Sequence, residues 1–216
     1  MKHLFLTSSI AIPGVGESIR TKLGHDNPLK TVFISTPVEG EADQSDLSWV
    51  EEERLGLRKN GFDIFDYSIT GKTLPQIKED LTGIDVIYIS GGNEFYLKEK
   101  SNESGFETFV KEFVESGKIY IGTSCGSIIM GKDMTPLQQL SDLTTLTKSI
   151  DTRGFGIVDF TILPHWGSQE FRSRWLNGDS FNLMYQSNNK IIALNNYEYI
   201  EVIDDQFRII DVRNEK

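Results

Sequence analysis

Short apolar runs alternate along this chain with segments whose apolar residues recur every three or four positions. The first pattern builds strands buried on both faces, and the second builds helices that turn one stripe to a core. Leu4 to Ser8 and Val32 to Thr36 read as the first two strands. A helix is expected from about Ser45 to Asn60, stopped by Gly61, with Phe62 to Tyr67 as the third strand. A short helix from Leu74 to Leu81 precedes the strongly apolar strand Val86-Ile87-Tyr88-Ile89, which breaks at Ser90-Gly91-Gly92-Asn93. Two helices flank Ser104-Gly105; in the second, Phe106, Phe109, Val110, Phe113 and Val114 share a face and Gly117 ends it. Lys118 to Ile121 is then a strand running into Gly122-Thr123-Ser124-Cys125-Gly126 and the helical Ser127-Ile128-Ile129-Met130.

Repeated strand-helix units of this kind predict an α/β fold, a mainly parallel sheet sandwiched by helices, in one domain spanning residues 1–216. Beyond the Gly122–Gly126 turn the pattern loosens. Asp133 to Arg153 reads as irregular or partly helical, and Ala11 to Asn27 as a loop without a motif. Gly156 to Leu163 is expected to be a strand. Ile191 to Leu194, Tyr199 to Ile203 and Phe207 to Val212 are short strands, the last two forming a C-terminal hairpin around Asp204-Asp205-Gln206.

The 216 residues carry a net charge of -10, which leaves too little basic surface for a nucleic-acid partner and favours small ligands. One cysteine cannot form an internal disulfide, and no stretch approaches the roughly 20 apolar residues of a membrane span. Thr7-Ser8-Ser9 cuts the N-terminal apolar run short of a signal-peptide core, so a reducing, cytoplasmic location without a membrane partner is expected.

Strand, Gly-Thr-Ser-Cys-Gly and helix in that order form a G-x-S-x-G nucleophile elbow with Ser124 at its apex. A serine hydroxyl needs a general base near neutral pH, usually histidine. Of three histidines, His3 begins the first strand and His25 sits in a polar loop. His165 follows an apolar strand and Pro164, where a parallel sheet presents its functional edge, and is the candidate base. The amide of Cys125 and a backbone N–H from the Gly91-Gly92 pair are candidate oxyanion donors. Gly126 to Lys132 mimics a phosphate-binding loop, but Asp133 replaces the Ser or Thr that holds magnesium. Gly14-Val15-Gly16 lacks a dinucleotide fingerprint's third glycine, Ile19 standing there; Glu39, Glu41, Asp43 and Asp46 read as a solvated acidic run.

Ser90-Gly91-Gly92-Asn93, the Gly122–Gly126 elbow, Leu163-Pro164-His165 and Glu170-Phe171-Arg172, in this order, resemble the dipeptidase E family, the α-aspartyl dipeptidases, with cyanophycinase as a relative. The resemblance runs from Leu4 to about Val202. It implies a class I glutamine-amidotransferase-like, flavodoxin-like three-layer fold and a serine peptidase that cleaves small peptides after an N-terminal aspartate, without metal or other cofactor. It also implies Ser124 as nucleophile, His165 as base, Gly92 and Cys125 as oxyanion hole, and Arg172 as ligand of the substrate carboxylate, with Arg174 a neighbouring cation. The family's third member is acidic and sits on a late strand. Here Asn196 takes that place, ahead of Glu198 and Asp133. An amide can orient the imidazole but cannot neutralise the imidazolium. Two other readings stay open: thiol chemistry at Cys125, and a noncatalytic binding relative. Whether the chain forms a homodimer is also open.

Overall fold

Seven strands form one sheet because alternate residues of each central strand feed two different cores. The computed structural model describes residues 1–24, 27–138, 140–169, 171–175, 182, 184–185 and 189–215, the side chains of 174 and 175 excepted. In chain order its elements are β1 (His3–Thr7), α1 (Val15–Leu23), β2 (Leu29–Ile34), α2 (Thr36–Glu39), α3 (Ser48–Lys59), β3 (Phe62–Tyr67), α4 (Leu74–Asp80) and β4 (Val86–Ile89). There follow α5 (Glu94–Ser104), α6 (Phe106–Glu115), β5 (Ile119–Thr123), α7 (Cys125–Ile128), β6 (Phe160–Leu163), α8 (Arg172–Trp175), β7 (Lys190–Ala193), β8 (Glu198–Ile203) and β9 (Gln206–Asp211).

The sheet order is β3-β2-β4-β5-β1-β8-β9. The first five strands are parallel, and β8 and β9 are antiparallel additions at one side. Leu4, Leu6, Val32, Ile34, Ile87 and Ile89 point to the core under α5 and α6. Phe5, Phe33, Val86 and Tyr88 point to the other core, which α1 and α3 cover with Val15, Ile19, Val50 and Leu57. The expected mainly parallel, helix-sandwiched sheet with its C-terminal hairpin is present. Ile203 pairs with Gln206 across Asp204 and Asp205, with Asp204 at φ 53°.

Local differences from the sequence reading have local causes. The helix expected from Ser45 starts at Ser48, because Asp43 and Asp46 each accept the backbone N–H two residues on, from Ser45 and Ser48, and hold the chain in turns. The strand expected from Gly156 starts at Phe160, since Gly156 N–H is spent on the Gly131 carbonyl and the Ile157 and Val158 N–H groups on that of Met130. Ile191 to Leu194 does supply a strand, β7, but it pairs with β6 in a separate two-stranded parallel sheet. The supposed loop from Ala11 to Asn27 contains α1, whose buried Val15 and Ile19 are too few to announce a helix in sequence. Gly105, at φ 77°, separates α5 from α6 as expected, and the five apolar residues read onto one face of α6 are all buried.

Candidate active site

The carboxyl ends of β1, β4 and β5 lie side by side, so the residues that follow them meet at one edge of the sheet. Ser124 follows β5 directly and is held at φ 48°, ψ −108°, a conformation that costs a non-glycine residue about 1–3 kcal/mol. Its N–H donates to the Thr7 carbonyl at 3.0 Å, fastening the apex to β1, and its carbonyl accepts from Ser127 and Ile128 as α7 begins. Ser127 Oγ donates to the Thr7 and Gly122 carbonyls at 2.8 Å each. A Cβ on Gly122 would stand 2.4 Å from the Gly126 carbonyl oxygen, and one on Gly126 would stand 2.3 Å from that of Ile89. Both glycines are therefore steric requirements of the turn.

His165 follows β6, also in the left-handed region, at φ 60°. Its N–H donates to Ser8 Oγ at 3.1 Å, and Ser8 Oγ donates to the Leu194 carbonyl at 3.0 Å, which ties the end of β6 to the end of β1. The imidazole stacks on Phe171 with centroids 4.3 Å apart and planes 10° from parallel. His165 Nδ1 lies 2.8 Å from Asn196 Oδ1. With the amide oxygen accepting, Nδ1 carries the proton and Nε2 keeps its lone pair, the tautomer a general base needs. Asn196 occupies the turn between β7 and β8 rather than a strand. Of the alternatives, Glu198 accepts the Asn195 N–H, and Asp133 accepts from Thr135 N–H and Asn189 Nδ2. Neither lines the cavity that holds His165.

That cavity measures about 420 Å³, and its lining includes Ser8, Gly92, Ser124, His165, Phe171 and Asn196. Gly92 sits at φ 125° with Pro37 so close that a Cβ would fall 2.5 Å from its carbonyl carbon and oxygen. Among the described residues, neither the Gly92 nor the Cys125 N–H has an acceptor. The Cys125 thiol is fully buried. Burial first, and then the carboxylates of Glu94, Glu41 and Glu53, push it well above the usual thiol range, so thiol chemistry at this position loses its support.

Other candidates fall elsewhere. His3 Nε2 pairs with Glu201 Oε1 at 3.0 Å between β1 and β8. His25 and Glu170 lie outside the described residues, as does the side chain of Arg174. Arg172 opens α8, exposed, one residue from Phe171, and is not part of the cavity wall. Glu41, read as part of a solvated run, lines the cavity together with Glu52, Glu53 and Glu94. Glu53 and Trp49, on α3, were not legible as site residues. A glutamate one turn after a tryptophan in an amphipathic helix has no signal in sequence that it faces a glycine turn some 38 residues away.

Comparisons with known proteins place the chain among peptidases. A relative described as an uncharacterized peptidase, Lin0382 of Listeria innocua, is 28% identical over 211 residues, covering 95% of each chain. A Peptidase E of a Shewanella species is 28% identical over 106 residues, 49% of this chain and 42% of its own. The crystal structure of a putative peptidase E protein from Listeria monocytogenes superposes with a TM-score of 0.81 at 25% identity, covering 98% of both chains. The family model described as Peptidase family S51 matches residues 5–210, and the chain belongs to that family, which is the dipeptidase E family.

Proposed function

We propose that this peptidase hydrolyses short peptides through Ser124, with His165 as general base and Asn196 holding the imidazole. The observation that carries the reading is the joint presence, in one cavity, of a strained serine turn and a histidine whose Nδ1 is fixed by an acceptor. Nε2 takes the Ser124 proton as Oγ attacks the scissile carbonyl. The oxyanion that forms receives the Gly92 and Cys125 N–H groups, a stabilisation worth about 10²–10³ in rate per donor. The imidazolium returns its proton to the departing amine. A water, deprotonated in the same way, then releases the acyl group and restores the serine.

The finer preference concerns charge. Glu41, Glu52 and Glu94 line the cavity beside the buried Glu53, and no lysine or arginine does so among the described residues, which favours a substrate with a free α-ammonium. On the family resemblance, the aspartyl carboxylate of an Asp-X dipeptide is assigned to Arg172, which is exposed outside the cavity wall, next in sequence to the lining residue Phe171.

The test is intact-mass detection of a fluorophosphonate adduct on wild type, Ser124→Ala and Cys125→Ala, followed by a dipeptide panel. Labelling lost only in Ser124→Ala, with Asp-X cleaved fastest, is the expected result. Folded wild type that takes no label would leave a noncatalytic binding relative. Arg172→Ala is expected to raise KM about tenfold for Asp-X and not for Ala-X; an equal effect on both would remove the aspartyl assignment.

A further inference from the structure

The Gly91-Gly92 turn is held from two sides. Pro37 closes on Gly92 from one, and its carbonyl accepts the Asn93 N–H at 3.0 Å. From the other, α3 presents Trp49 and, one turn later, Glu53. A Cβ on Gly91 would stand 3.0 Å from the Trp49 ring and 3.2 Å from Glu53 Oε1. Glu53 Oε1 accepts the Gly91 N–H at 3.2 Å, and Oε2 accepts the Tyr88 hydroxyl at 2.9 Å. Its side chain is 4% exposed, yet it forms part of the wall of the Ser124 cavity. A buried carboxyl is an expensive way to hold a turn that backbone or a neutral side chain could hold.

We propose that Glu53 is a positioning residue of the peptidase reaction, fixing the Gly91-Gly92 turn so that the Gly92 amide stays available to the oxyanion. This rests on the serine-peptidase reading above. With Gly91 N–H committed to Glu53, Gly92 N–H is the donor at this end of β4 without an acceptor among the described residues. The carboxyl serves in its neutral form, with Oε1 accepting from Gly91 and the proton on Oε2, where the contact with Tyr88 becomes a donation to the phenol oxygen. An ionised Glu53 would put a negative charge in the wall where the oxyanion grows, and such a charge acts on Cys125, whose amide is the second donor. Burial raises its pKa from 4.5 to about 8, so it holds its proton at neutral pH.

The groups that face it are Tyr88 from β4, Cys125 from α7, Arg54 on its own helix, and Glu41, Glu52 and Glu94 along the same cavity. Tyr88 and Cys125 are both displaced upward, away from this window. Arg54 is engaged by Asp66 and Glu51.

The experiment measures the rate constant of fluorophosphonate labelling of full-length wild type, Glu53→Gln and Glu53→Ala between pH 6 and 9. Phosphonylation places an oxygen in the same hole and needs no knowledge of the peptide. Glu53→Ala is expected to label about 100-fold more slowly, and Glu53→Gln, which keeps an acceptor for Gly91, to recover most of that loss. The ratio of Glu53→Gln to wild type should rise about tenfold between pH 7 and 9, as the glutamate ionises and the amide does not. A flat ratio, or a folded Glu53→Ala that labels at the wild-type rate, overturns the proposal. If the alanine variant does not fold, the ratio alone decides. Wild type that never labels removes the serine reading itself, which separates that failure from a failure of Glu53.

Discussion

A single atom separates the His165 partner from the carboxylate of the family pattern. Asn196 offers Oδ1 to the imidazole at 2.8 Å, which fixes the tautomer; in the proposed reaction it would leave the imidazolium uncompensated once the serine proton is taken. A charged acceptor at this distance strengthens the hydrogen bond by about 1–2 kcal/mol, so Asn196→Asp is expected to raise kcat about tenfold. Asn196→Leu, which removes the acceptor, should lower kcat about 100-fold with little change in KM. Steady-state rates on the preferred dipeptide check both. An aspartate variant no faster than wild type would mean that orientation, rather than charge, is all this position supplies. The pairing is legible through the family resemblance, which sets Asn196 in the place of the third member ahead of Glu198 and Asp133. Its position in a turn is not, because residues after β7 carry no periodicity from which to tell a strand from a bend.

At the scale of the element, the strand-turn-helix from β5 to α7 was the most legible part of the chain. Its residue types answer to sterics that act within a few positions, while the close approach of Ile89 to Gly126 and the hydrogen bonds to the Thr7 carbonyl come from elsewhere. Gly126→Ala would drive a methyl to 2.3 Å from that carbonyl oxygen, against backbone that cannot step aside. A loss of about 3 kcal/mol or more in urea-unfolding free energy is expected. Gly71→Ala serves as a control: its Cβ meets nothing within 4 Å, and only its φ of 73° is unfavourable, so about 1 kcal/mol is expected there. Similar losses at the two sites would mean that the turn relaxes and that its glycines are not steric requirements.

Across the whole molecule, stability carries opposite pH dependences from two buried carboxyls. Glu53 is raised to about 8 in the folded chain. Between its ordinary pKa of 4.5 and 8 the unfolded chain has lost this proton while the folded one retains it, so stability falls as pH rises through that window. Glu53→Gln lacks this loss, and its Tm minus that of wild type should grow steadily from pH 5 to 8. A constant difference would contradict the shift. Glu99 behaves in reverse. Despite burial, hydrogen bonds from Lys100 and from Thr147 and Lys148 in the loop over α5 lower it to about 2. Its contribution is present above pH 4.5 and is lost as pH falls towards 2, so Glu99→Gln should show a smaller acid-side drop in Tm than wild type. Both carboxyls belong to contacts between segments far apart in the chain, which is why composition and periodicity left them unremarked.

The sequence by itself determined whatever is decided locally. Alternating strands and helices imply a two-sided sheet, the glycines of Gly122–Gly126 imply a sharp turn, and the order of four motifs pointed to the family. These follow because propensity, hydrophobic spacing and turn sterics act over a few residues. Only the tertiary structure decided what stands opposite what. It put β7 in a sheet of its own with β6, Asn196 against His165, Glu53 under the Gly91 turn, and Arg172 outside the wall that the family resemblance would give it. Such neighbours are fixed by the packing of strands β1, β4 and β5 with α3 and the loops after β6 and β7. Packing depends on distances through space that no window along the chain contains.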